Sequence, residues 1–427
     1  MRRIDGSVCA PRGFRAAAVF CDIKRLGTGK GSEKGRKDDL GLIVSDVPAA
    51  VAGMFTLNRV RAAPVELCAK HIKAGMARAI VANSGNANAC TGSAGMRDAK
   101  RMAQLTADAL SFKQSTVFVA STGRIGVPLP MSNVVSGIHA AAMKLERSTE
   151  AARHVAEAIM TSDTRAKEIA VEIAIDGVTV RIGGTCKGAG MIEPRLRASL
   201  HATMLAFITT DAAISARSLQ RALNIAIEQS FNRISVDGDT STNDTVLILA
   251  NGLAENRPLR GQALASFQEA LNFVTLHLAK MIVADGEGVS RLITLHVRGA
   301  RNAAAAETVA RAVANSALVK TSWCGGDPNW GRILCAVGYS GVRVDQGKIS
   351  IGYSADGGGD TLFGFRRGAP TDVPFAKLTA ITSQAEFDVW IDLHAGKSAT
   401  TFYTCDLTEE YVAFNKGDIT DPRSLGG

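Results

Sequence analysis

Apolar positions recur along the chain at two periods. In Ser215-Ala-Arg-Ser-Leu-Gln-Arg-Ala-Leu, the residues Leu219, Ala222, Leu223 and Ala226 return on one face, and Ser215 stands where an N-cap belongs, so a helix opens there. The same spacing predicts helices over 264–278 and 303–317. Period two is clearest in Phe387-Asp-Val-Trp-Ile-Asp-Leu-His. There Phe387, Val389, Ile391 and Leu393 share one face of a strand, and Asp388, Asp392 and His394 the other. Residues 289–297 and 348–353 read as further strands, and the short apolar runs 79–82 and 117–120 as buried ones. The two element types come in mixed runs, without regular βαβ units or an internal repeat. An α+β fold of layered sheets and helices is the expectation.

Composition narrows the class. The chain has 427 residues, 46% hydrophobic and 21% charged, which is globular rather than disordered. Its length admits two to four domains at about 100–200 residues each. Aromatics are only 5% while glycine is 42 of 427, which favours backbone-lined loops over stacking platforms for nucleic acid. No apolar run approaches the ~20 residues of a membrane span. Of the net charge of +9, the first forty residues hold a large part, with ten Lys/Arg against five Asp/Glu. No aromatic residues interleave with them, so a solvated basic segment is expected, with neither nucleic acid nor membrane as partner. Within it, Gly27-Thr-Gly-Lys-Gly-Ser imitates a phosphate-binding loop but lacks the leading glycine (Lys24 stands there) and the Ser or Thr after Lys30. The eight cysteines are scattered, with no CxxC pair and no histidine at metal spacing. Reduced thiols, no apolar leader and a cytoplasmic location are the expectation, with no metal.

Six polar, glycine-rich segments resist a reading as plain surface turns: 82–92, 121–126, 187–192, 237–244, 285–288 and 326–332. Glycine lets backbone amides approach a ligand, and buried Asn, Thr and Asp need hydrogen-bond partners, so together they imply a polar pocket of converging loops. No GxSxG elbow and no Ser–His or Cys–His signature accompanies them. Thr203, in His201-Ala-Thr-Met-Leu-Ala-Phe-Ile, offers another route. By default it is a core threonine. Cleavage of the Ala202–Thr203 peptide would instead give it a free α-amine, with an ordinary pKa of about 7.7–8.0, able to act as base for its own hydroxyl.

In combination, these segments resemble the ornithine acetyltransferase family, the self-cleaving glutamate N-acetyltransferases of the cyclic arginine pathway. The resemblance runs from Ala10-Pro-Arg-Gly-Phe and Phe55-Thr-Leu-Asn-Arg-Val-Arg-Ala-Ala-Pro-Val to Asp406-Leu-Thr and Asn415. It implies cleavage between Ala202 and Thr203 into two intertwined chains, 1–202 (alpha) and 203–427 (beta), assembled as a heterotetramer with two copies of each. Thr203 would take the acetyl group of N2-acetyl-L-ornithine and pass it to L-glutamate. Thr122 (side chain) and Gly123 (backbone amide) would hold the oxyanion. Thr161, Lys187, Thr203, Glu287, Asn415 and Thr420 would contact substrate, the Lys and Glu complementing an amino acid's carboxylate and ammonium. No cofactor is implied. Acetyl-CoA as a further acetyl donor is left open, since no segment argues for a coenzyme A site.

Two departures from the family pattern stand out. Sixteen steps separate Lys187 from Thr203 where eleven are usual, so the leader over 193–201 is about five residues longer. A tail over 421–427 follows Thr420. The alternatives are a diverged relative with another acyl donor or acceptor, an amidohydrolase in which water replaces glutamate, and an uncleaved, non-catalytic binding protein.

Overall fold

The computed structural model of the protein describes residues 1–24, 37–196 and 204–416. Among them, nine strands form the larger sheet: β1 (Arg2–Ile4), β2 (Phe14–Val19), β3 (Leu40–Phe55), β4 (Met76–Asn86), β5 (Val117–Arg124), β6 (Lys167–Ile175), β7 (Val178–Lys187), β8 (Leu205–Thr210) and β9 (Thr245–Ala250). Their order is β1-β6-β7-β8-β9-β3-β4-β5, with β2 also on β3. The pairs β4/β5 and β8/β9 are parallel; the others are antiparallel.

The long strand β3 belongs to both halves of this sheet. Its Leu40–Ser45 stretch pairs with β2, its Ala50–Phe55 stretch with β9, and the register against β4 breaks between Val44 and Ala49. Such a break bends a strand. The sheet consequently folds over, and its halves share one core. Leu205 and Phe207 of β8 and Leu247 of β9 meet Ile43, Ile80 and Phe118 from the other half. The alternate residues face outward. Ala206 and Ile208 pack with the helices Ala216–Glu228 and Gly261–Val283, while Ala79 and Val81 pack with Gly92–Leu110 and Met131–Met143. The layers therefore run helix, sheet, sheet, helix, with the central strands β8 and β9 buried on both faces.

A second sheet holds β10 (Leu292–Ala300), β11 (Ser350–Ala355), β12 (Leu362–Arg366), β13 (Ala369–Pro370), β14 (Glu386–Asp392) and β15 (Ser398–Cys405), in the order β13-β12-β11-β14-β10-β15. Helices Ala303–Ala314, Ala317–Cys324, Trp330–Tyr339 and Phe375–Thr382 share its core. No helix among the described residues is long and apolar enough to cross a membrane.

The α+β expectation is met. Ser215 caps its helix by accepting from the Ser218 amide, and Leu219, Ala222, Leu223 and Ala226 are buried. The helix expected over 264–278 extends to Gly261–Val283. The one expected over 303–317 ends at Ala314, where Ser316 caps a new helix, Ala317–Cys324. In β14, Phe387, Val389 and Ile391 enter the core as expected. The opposite face is covered too: Trp390 stacks on His296 at 4.0 Å, and Asp388 is buried. Most of the glycine- and lysine-rich insertion over 26–37 lies outside the described residues.

One buried carboxylate anchors the chain where it enters β3. Asp39 accepts from three backbone amides, those of Cys21 (2.8 Å), Ile23 (2.6 Å) and Lys24 (3.0 Å). Asp39→Ala orphans all three and should cost about 3 kcal/mol. The urea midpoint should fall accordingly, and an unchanged midpoint would show that water replaces the carboxylate.

Candidate active site

Most of the polar segments prove to be strand ends at one rim, not surface loops. Asn83, Ser84 and Asn86 close β4 and are all buried, and Ser121 to Arg124 close β5 beside them. Asn243, just before β9, donates to the carbonyls of Ala87 (2.5 Å) and Ser121 (2.8 Å), lacing the two half-sheets together. The Ser121 hydroxyl donates to Asn83 Oδ1 at 2.6 Å. The segments 187–192, 237–244 and 285–288 join through hydrogen bonds: the Ile192 amide donates to the Asp237 carboxylate Oδ1, and the Glu287 amide to the Ala189 carbonyl. The sixth, 326–332, does not come to this rim. It opens the helix Trp330–Tyr339, which Asn329 caps, on the second sheet. The converging-loop expectation is corrected on that point, because the polar residues there serve a helix N-terminus.

Thr122 and Gly123 sit together at the end of β5. The Thr122 hydroxyl makes no hydrogen bond among the described residues. Gly123 has φ +128°, and a Cβ there would meet the Gly85 carbonyl carbon at 2.4 Å, so only glycine fits. Ala202, Thr203 and Thr420 lie outside the described residues. The residue after Thr203 does not: Met204 is buried, and its carbonyl accepts from the Thr245 amide at 2.6 Å, continuing the β8/β9 pairing. Lys187, last in β7, pairs with Leu205, two residues beyond Thr203. Its Nζ donates to Thr161 Oγ1 at 2.8 Å and lies 3.8 Å from Asp163. On the far side of Ala189, Glu287 accepts from Asn415 Nδ2 at 2.8 Å. A cation and an anion thus stand on neighbouring loops, next to the strand that begins just after Thr203. Gly190 keeps them close, for a Cβ there would strike the Glu287 carboxylate at 2.4 Å.

Beneath them lies a buried charge cluster. Lys167 Nζ, wholly buried, is 2.6 Å from Asp163 and 2.5 Å from Asp285. Burial works against these charges. Even so, Lys187 and Lys167 hold the Asp163 carboxyl well below the usual carboxylate range, and Asp163 and Asp285 hold the Lys167 ammonium above its ordinary value. Asp244 is the reverse case. It is fully buried at the start of β9, next to the Thr245–Met204 bond, and neither carboxylate oxygen has a hydrogen-bond partner among the described residues. Burial pushes it well above the carboxylate range; Lys187 offsets this in part and Asp237 adds to it.

Comparison with known proteins decides the family. Residues 16–418 match the ArgJ family. The chain belongs to it. It is 48% identical over 417 residues to the arginine biosynthesis bifunctional protein ArgJ of Symbiobacterium thermophilum, covering 97% of this chain and 99% of that one. It is 43% identical over 420 residues to the Shouchella clausii protein of the same description, covering 97% of each. Among solved structures, the ornithine acetyltransferase of Mycobacterium tuberculosis, complexed with ornithine, is 38% identical with a TM-score of 0.41. That match covers 45% of this chain and 96% of that one. Membership of the ArgJ family meets the resemblance read from the motifs.

Four residues of this rim were not singled out from the sequence: Asp163, Lys167, Asp244 and Asp285. Asp244 and Asp285 stand inside segments that were, and Asp163 lies two residues after Thr161. Lys167 carried a different signal. It begins a strand whose Ile169, Val171, Ile173 and Ile175 point inward, and by alternation it shares their face.

The upward shift of Asp244 makes stability depend on pH with a definite sign. In the unfolded chain it titrates near the ordinary ~3.9, far below its folded value. The unfolded state therefore gains on the native one as pH rises past about 4. Asp244→Asn cannot ionise, so its stability relative to the parent should rise between pH 4 and pH 7. Thermal melts at both pH values read this, and an equal gap at both would mean that Asp244 is ionised in the fold.

Proposed function

We propose that this acetyltransferase of arginine biosynthesis moves the acetyl group of N2-acetyl-L-ornithine to L-glutamate through an acetyl ester on Thr203. In this reading the chain is first cut between Ala202 and Thr203. The freed α-amine takes the Thr203 hydroxyl proton, and Oγ bonds to the acetyl carbonyl carbon. The developing oxyanion falls to the Thr122 hydroxyl and the Gly123 amide; one such donor is worth about 2.7–4 kcal/mol of barrier. The C–N bond then breaks, ornithine leaves with the proton from the α-ammonium, and acetyl-Thr203 remains. The amine of glutamate attacks that ester, and the threonine oxygen departs as a hydroxyl.

The observation that carries this reading is the opposed pair Lys187 and Glu287. They are joined through the Glu287 N to Ala189 O bond, and Lys187 pairs with Leu205 in the strand that follows Thr203. Lys187 complements the α-carboxylate that N2-acetylornithine and glutamate share, and Glu287 the side-chain ammonium of acetylornithine, whose α-nitrogen is the acetylated amide; the common carboxylate supports one pocket for both halves of a ping-pong cycle. Thr161 and Asn415 support it by bonding the two charged groups directly, and Thr420 belongs to the same proposed set. The relatives' description as bifunctional supports acetyl-CoA as a second acetyl donor to the same threonine. The eight unpaired cysteines support a cytoplasmic setting. Strands from both sides of residue 203 share one sheet, through β7/β8 and β3/β9, which suits two chains that stay together after cleavage as an α2β2 heterotetramer.

Scaling 44.8 kDa by 202 and 225 of 427 residues gives fragments of about 21 and about 24 kDa. Intact-mass measurement of the purified protein should find both, the heavier beginning with Thr203. Thr203→Ala should yield one uncut chain without acetylornithine–glutamate exchange. Normal cutting of that variant would move the nucleophile elsewhere. Glu287→Ala should raise the KM for acetylornithine at least tenfold, equivalent to about 1.4 kcal/mol of binding; unchanged kinetics would remove Glu287 from the site.

A further inference from the structure

Lys167 touches neither proposed substrate contact, yet it is joined to both ends of the site. On one side, Asp163 accepts from Lys167 Nζ and, with the same oxygen, from the Gly188 amide at 2.6 Å. Its other oxygen accepts from the Thr161 amide at 3.0 Å and faces Lys187 Nζ at 3.8 Å. Asp163 therefore fixes the backbone on either side of the Lys187–Thr161 pair. On the other side, Asp285 accepts from Lys167 Nζ, from the Thr164 amide at 3.1 Å and from the Thr164 hydroxyl. Asp285 lies two residues before Glu287, in the turn that presents it to Asn415. Among the described residues, the ammonium of Lys167 is the one group bonded to both carboxylates. Without it, two buried anions would face each other and the loops carrying Lys187 and Glu287 would be pushed apart.

Stability alone gives no reason to keep such a cluster. Replacing a buried ion network by well-packed apolar groups is often neutral or stabilising. The position is also an apolar one by pattern, first on the inward face that continues with Ile169, Val171 and Ile173. A methionine would fill it.

We propose that Lys167 is a positioning residue of the amino-acid site. By tying Asp163 to Asp285 it sets the separation of Lys187 and Glu287, and hence the distance between carboxylate and ammonium that the site accepts. This rests on the acetyltransferase reading above. It assigns Lys167 to recognition of the amino acid and not to the acyl step. On the cleavage reading, Asp163 and Lys167 precede residue 203 and Asp285 follows it, so the tie also joins the two chains.

The test uses Lys167→Met and, as a milder change, Asp285→Asn in the full-length protein. Exchange kinetics give KM for acetylornithine and for glutamate. A parallel assay follows acylation by p-nitrophenyl acetate, which forms the Thr203 ester and releases nitrophenolate but presents neither α-carboxylate nor ammonium. The expected result is a rise of tenfold or more in both KM values for Lys167→Met and of three- to tenfold for Asp285→Asn. The nitrophenolate burst rate should stay within threefold of the parent. Should Lys167→Met be recovered only as aggregate, Asp285→Asn decides the matter. KM values within twofold of the parent in a folded variant would overturn the proposal. So would a burst rate that falls in step with both KM changes, which would make the cluster merely structural. A parent enzyme that acylates but shows no exchange would overturn the acetyltransferase reading itself, and the role of Lys167 with it.

Discussion

The bend in β3 is the constraint on which the rest of the architecture depends. Because its two stretches pair with different partners across a register break, one sheet becomes two facing layers with a common core. Strand ends far apart in sequence then meet at one rim. The close of β5 and the approach to β9 are held together by Asn243, which bonds Ala87 and Ser121. The close of β7 and the start of β8 adjoin through Lys187 and Leu205. No single loop could gather these groups. Rigid strands supply the placement, and short glycine-containing segments supply the close approach.

Bringing polar groups to a buried rim has an electrostatic cost, and the structure meets it in two ways. Around Lys167 the charges are kept and compensated, with both carboxylates also accepting backbone or hydroxyl hydrogen bonds. At Asp244 no hydrogen bond from the described residues compensates the charge, and burial favours the protonated form. The difference follows from what surrounds each group. Asp163 has two ammonium groups against it, whereas Asp244 has Lys187 as its nearby cation and Asp237 working against it. A low-dielectric rim of this kind makes every remaining hydrogen bond stronger, which would favour the oxyanion role proposed for Thr122 and Gly123.

The legible parts of the fold were those set by local periodicity. The helix after Ser215 and the inward face of β14 followed from spacing alone, because their burial repeats with the backbone. The polar segments were visible as anomalies, but their nature as strand ends was not. Alternation in Ala82-Asn-Ser-Gly-Asn is hidden once both faces of a strand are buried and its polar residues bond within the rim. The segment 326–332 looked the same by composition and served a helix cap instead, so glycine and asparagine content alone does not separate a site from a turn. Lys167 was overlooked for a different reason. A lysine at the head of a strand reads as solvated, and its partner Asp285 lies 118 residues away. Only the inward phase of the strand pointed to its burial.

The longer leader before Met204 can be weighed in the same terms. Its described part is firmly held. Glu193 is buried and bonded by Arg311 at 2.8 Å, and its backbone amide donates to Asp239. Leu196 exchanges hydrogen bonds with Asn232 in both directions. On the far side, Met204 is fixed by Thr245. Both flanks of residues 197–203 are therefore anchored. Lengthening a generic connection from eleven steps to sixteen costs just about 0.3 kcal/mol in chain entropy. That is far smaller than the ~2.7–4 kcal/mol carried by a single oxyanion donor. Alignment of the peptide against its surroundings, rather than the length of the leader, is what would govern cleavage before Thr203.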